Sequence, residues 1–65
     1  MTVTVNGSAR ELAKGCTVAQ LVAAEGVPER GIAVAVDGTV VPRGSWTAVV
    51  REGAVVEIVT AVQGG

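Results

Sequence analysis

Met1-Thr2-Val3-Thr4-Val5-Asn6-Gly7 is the stretch whose reading decides the fold. Met1, Val3 and Val5 alternate with Thr2 and Thr4, the two-residue period of a strand with one face buried. Asn6-Gly7 follows at once, and a type I′ turn needs positive φ at both central residues, which this pair supplies. The chain therefore folds back beside its own first strand, with the return strand running from Ser8 to Ala13. A strict two-residue turn sets Arg10 opposite Val3, on the face meant for burial. The register stays open on that account, with a wider turn as the alternative.

Beyond the hairpin, Lys14-Gly15-Cys16 breaks the strand. Thr17 opens a helix of about nine residues, and Gln20 stands three places on, the spacing of a capping box. Val18, Leu21 and Val22 share one helical face, and Ala23 and Ala24 favour the helix. Gly26 ends it and Pro28 prevents its resumption. A helix this short is marginal alone, so it needs a sheet to lie on.

Ile32-Ala33-Val34-Ala35-Val36 is a continuous apolar run, the pattern of a strand covered on both faces or tolerant of small residues. Asp37-Gly38 is a second tight-turn pair, Thr39-Val40-Val41 a short partner strand, and Pro42 closes it. Ser45 to Val50 reads as a further strand, or as a helical turn leading into one. Arg51-Glu52-Gly53 is a polar turn. Val55 to Val62 forms the last strand, with Val56 and Ile58 facing one way and Val55, Glu57 and Val59 the other. A hairpin, a helix and two or three more strands make an α+β domain, a mixed sheet of four to five strands on one helix. The crossover lets the first and last strands run parallel as neighbours, which is the β-grasp, or ubiquitin-like, arrangement.

Composition narrows the function. Residues 1–65 make one domain near the lower size limit for folding without metal or disulfide. The hydrophobic share is 49%, but it is mostly Val and Ala with one Trp and neither Phe nor Tyr, so the core is small. There is no His, which removes the commonest general base and metal ligand. A net charge of −1 argues against nucleic acid as a partner. Cys16 is the single cysteine, so no internal disulfide or cysteine metal site can form, and a small buried thiol is its expected role. No apolar run reaches membrane-spanning length and no signal-peptide pattern opens the chain, so a cytoplasmic protein is expected.

The last strand leads into Thr60-Ala61-Val62-Gln63-Gly64-Gly65. A glycine pair inside a chain usually serves a turn, but here no second strand follows. As a flexible tail over residues 63–65, it supplies a narrow thread ending in a carboxylate, able to enter a cleft that excludes any β-carbon. The alternative reading is a frayed chain end.

Ile32 to Arg43 followed by Trp46, then Glu57 to Gly65, resembles the ThiS family of thiamine-biosynthesis sulfur carriers. The Asn6-Gly7 hairpin and the Thr17-Val18 helix start resemble it as well, so the likeness spans the chain. It implies that the Gly65 carboxylate is adenylated by a ubiquitin-activating-like (ThiF-like) adenylyltransferase, which uses ATP and Mg²⁺. No cofactor would be bound by the carrier itself. It also implies that a persulfide donor then converts Gly65 to a thiocarboxylate, whose sulfur passes to a ThiG-like thiazole synthase. Gly64 would keep the tail slim, and Gln63 belongs to the same tail. A carrier of this kind is a co-substrate and not an enzyme. Val59 and Ala61, on the sheet face away from the helix, are candidates for partner docking, with ordinary strand packing as the alternative. Arg43 is a further docking candidate against its reading as a solvated turn residue. Trp46 is expected in the core or at its rim, and Lys14, the only lysine, on the surface. Molybdopterin or another sulfur metabolite is an alternative destination, and a protein modifier or a plain interaction module are alternative classes.

Overall fold

A computed structural model describes residues 1–60. Its elements run β1 (Thr2–Val5), β2 (Ser8–Glu11), α1 (Val18–Ala24), β3 (Ile32–Val36), β4 (Thr39–Val41), a 3-10 turn (Arg43–Ser45) and β5 (Val55–Thr60). The sheet order is β2-β1-β5-β3-β4, five strands with α1 on one face. β5 lies at the centre, parallel to β1 and antiparallel to β3. This is the β-grasp arrangement expected from the order of elements.

Both Asx-Gly pairs form tight turns through left-handed backbone. Asn6 and Gly7 have φ of 49° and 83°, and Asp37 and Gly38 have 51° and 84°. The first hairpin takes the strict register, with Val3 opposite Arg10 and Val5 opposite Ser8. Its return strand ends at Glu11 instead of reaching Ala13. Arg10 is tolerated on the helix-side face because β2 is an edge strand, exposed throughout. There Arg10 Nε donates to Glu25 Oε2 at 3.1 Å, and Glu25 is the helix C-cap. An ion pair thus closes the margin of the core where an apolar side chain would have been left uncovered.

The helix is seven residues long, with Thr17 outside it as the N-cap. Thr17 Oγ1 accepts from the Gln20 backbone N–H, and Gln20 Oε1 accepts from the Thr17 N–H, completing the capping box. The next free amides are satisfied from outside the helix, with Val18 N–H donating to Ala48 and Ala19 N–H to Trp46 carbonyls. This explains the segment between Ser45 and Val50. It forms no named strand, only a single bridge between Thr17 and Val49, because its carbonyls serve the helix start. Gly26, at φ 72°, carries the chain out of the helix.

Val18, Leu21 and Val22 of α1 pack against Val3 and Val5 of β1, Val34 of β3 and Val56 and Ile58 of β5. Trp46, at 5% exposure, closes one end of this core, and its Nε1–H donates to the Val41 carbonyl. Cys16 is buried at the core margin, as its size and polarity suggest. All buried hydrophobics are small apart from Leu21, Ile58 and Trp46, so few side chains seat the helix. Among the described residues, no helix is long and apolar enough to cross a membrane.

Candidate functional site

Alternation along β5 divides its side chains between two environments. Val56 and Ile58 point to the helix, whereas Val55, Glu57 and Val59 point to the uncovered face. The register sets Val59 beside Ala33, Glu57 beside Ala35, and Ala35 beside Val40. Val59 is 57% exposed, Val55 50% and Val40 65%, so three valines on one sheet face lack cover in the described chain. Single exposed valines are ordinary, but Val55 and Val59 of β5 and Val40 of β4 flank Ala33 and Ala35 of the intervening β3, an apolar surface interrupted by Glu57.

β5 is held from both flanks by the side chains of the two turns. At its start, the Asp37 carboxylate accepts from the Val55 N–H at 2.9 Å, while the Asp37 N–H donates to the Val55 carbonyl. Arg51 pairs with the second carboxylate oxygen. The Val55 N–H and then the Arg51 guanidinium hold the Asp37 carboxyl below its ordinary value. Towards its end, Asn6 Oδ1 accepts from the Ile58 N–H at 2.8 Å and Asn6 Nδ2 donates to the Ile58 carbonyl at 3.1 Å. The Asn6 N–H itself donates to the Val56 carbonyl. Sequence reasoning took Asn6 and Asp37 only as turn formers. No local pattern announces a contact to a strand 52 residues away.

Arg43 lies in the 3-10 turn after Pro42. Its guanidinium binds the Glu29 side chain at 2.8 Å and the Glu29 carbonyl, and stacks 4.7 Å from the centre of the Trp46 ring. It remains 59% exposed, so its charge is shared between an internal pair and solvent. Val59 therefore lies on the open sheet face and Arg43 in the segment that closes the core over Trp46. Ala61, Gln63, Gly64 and Gly65 lie outside the described residues. Among the described residues, no three His, Cys, Asp or Glu side chains are grouped to hold a metal ion. Lys14 is exposed.

A family model matches residues 3–65 of this chain, which is nearly its whole length and includes both terminal glycines. The chain belongs to the ThiS family. Among solved structures, the crystal structure of the thiamine biosynthesis protein ThiS from Geobacter metallireducens superposes with a TM-score of 0.85. The two sequences are 30% identical, and the match covers 100% of each chain. An NMR solution structure of a thiamine biosynthesis protein from the same organism gives 0.77 at 30% identity, covering 100% of this chain and 88% of that one. No curated protein matches the sequence. The ThiS resemblance read from the residues is thereby established, and so is the five-stranded fold.

Proposed function

We propose that this chain is a sulfur carrier of thiamine biosynthesis and that Gly65 carries the sulfur. The observation that carries the reading is the ThiS family match, which runs through Gly64 and Gly65. The central position of β5 supports it, because the strand that leads to those residues is paired with β1 at Val55 and Val56 and with β3 from Val56 to Thr60.

In this reading the Gly65 carboxylate attacks the α-phosphorus of ATP on a ThiF-like adenylyltransferase, and pyrophosphate leaves. A carboxylate is a poor electrophile, and the acyl-adenylate provides the leaving group it lacks. The terminal sulfur of a persulfide then attacks the acyl carbon and AMP departs. A thiol cleaves the resulting sulfur–sulfur bond, leaving the thiocarboxylate on Gly65. That sulfur passes to a ThiG-like thiazole synthase. Mg²⁺ and the reacting groups belong to the partner, while this chain supplies the end group and its placement. The protein is a co-substrate, and a cytoplasmic setting suits the thiol chemistry. The open face around Val59 is the proposed docking surface, with Ala61 as a further candidate and Arg43 as a peripheral charge against an acidic patch.

Deleting Gly65, or appending one residue after it, should abolish sulfur loading while leaving the thermal melt unchanged. The relevant assay is loading with the activating enzyme, ATP, Mg²⁺ and a persulfide donor. A truncated protein that still loads sulfur would refute the assignment to Gly65.

A further inference from the structure

β1 stops at Val5, but β5 continues to Thr60. Past Val56, the side of β5 that faces β1 has no strand backbone left to pair with. Strand alternation directs the backbone of Val55, Glu57 and Val59 towards β3, and that of Val56 and Ile58 towards β1. Ile58 would then present an unpaired N–H and an unpaired C=O on that side. The primary amide of Asn6 meets both, as an acceptor at 2.8 Å and a donor at 3.1 Å. An amide is the one side-chain group of this length with an acceptor and a donor on the same planar carbon. The positive φ of Asn6 places it at the turn and aims it across at β5.

We propose that Asn6 is a positioning residue for the terminal glycines, standing in for one missing strand residue and fixing the direction in which β5 leaves the sheet. The proposal rests on the carrier reading of Gly65. From Thr60, the five residues to Gly65 can span at most about 17 Å. Five residues is a short reach, so where the strand ends limits the region that Gly65 can visit. Delivery of a carboxylate to a reacting phosphorus is sensitive to misplacement of about 1 Å. Clamping Ile58 fixes where the strand ends without touching the reacting atoms.

Two variants separate positioning from folding. Asn6→Gly keeps the left-handed turn and removes both side-chain bonds. Asn6→Asp keeps the turn and the acceptor, but sets an anion against the Ile58 carbonyl. Amide hydrogen exchange and loading kinetics should be measured on the full-length chain with the activating enzyme. In Asn6→Gly, the Ile58 amide should exchange faster than in the wild type while Glu57 and Val59 change little. Loading kcat should fall roughly tenfold, with KM for the carrier nearly unchanged. Asn6→Asp should lie between the two, and it carries the comparison if Asn6→Gly does not fold. An unchanged kcat, an unchanged Ile58 exchange rate, or a uniform rise at every amide would overturn the proposal. If the wild type does not load at all, the carrier reading fails and the positioning role falls with it. The exchange pattern still reports the Ile58 clamp in that event.

Discussion

The two Asx-Gly turns of this protein have nearly the same backbone and do different work on the same strand. Asp37 grips β5 at Val55, with its own N–H on the Val55 carbonyl and its carboxylate on the Val55 N–H. Asn6 grips β5 further along, with its N–H on the Val56 carbonyl and its amide on both backbone groups of Ile58. The chemistry of each side chain follows from what remains unpaired. At Val55 the carbonyl is already taken, so an acceptor-only carboxylate suffices, and Arg51 offsets its charge. At Ile58 both groups are open, and only an amide satisfies both. The strand start is thus held by a charged pin and the strand end by a neutral one.

The largest expected effect comes from destroying the neutral pin and its turn together. Asn6→Val puts a β-branched residue at φ 49° and removes both bonds to Ile58. Left-handed strain and two lost hydrogen bonds together should lower unfolding free energy by about 2–4 kcal/mol. Chemical denaturation of this variant beside Asp37→Asn checks the ranking, because Asp37→Asn keeps its turn and its acceptor and should lose less. If Asp37→Asn proves the more damaging, the strand end is not where the fold depends most on a turn side chain.

A smaller effect sharpens the contrast between charged and neutral pins. The Asp37 carboxyl is held low in the folded state, first by the Val55 N–H and then by Arg51. Its contribution is therefore full above the pKa of the unfolded chain and is lost as pH falls through the folded value. Thermal melts taken down through the acid range should show wild type and Asn6→Gly losing stability there, with a shallower loss in Asp37→Asn. An acid limb of equal depth in Asp37→Asn would remove the charged pin from the account.

Much of this architecture was legible in the chain itself, for local reasons. Both turns, the capping box of Thr17 and Gln20, and the two-faced pattern of β5 are written in neighbouring residues. The mixed sheet follows from their order. What was hidden depends on distant partners. Arg10 looked misplaced opposite Val3 until Glu25 at the helix end provided its counter-charge. The segment from Ser45 to Val50 reads as a strand or as a helical turn leading into one. Past the 3-10 turn, however, only Val49 bridges, because the Trp46 and Ala48 carbonyls are committed to the helix amides. Asn6 and Asp37 were visible as turn residues, but their grip on β5 spans 52 and 18 residues of sequence. For the candidate site, Val59 was placed correctly on the uncovered face, and Gly65 rests on the family resemblance.

The central claim is that Gly65 receives sulfur, and one measurement addresses it most directly. The protein is incubated with its activating enzyme, ATP, Mg²⁺ and a persulfide donor, then analysed by intact and fragment mass spectrometry. The account predicts one oxygen-for-sulfur exchange localised by fragmentation to Gly65, distinct from oxidation of Met1 or Cys16, which gives the same nominal mass change. An unchanged Gly65 carboxylate, with an enzyme shown to be active on another carrier, would contradict it.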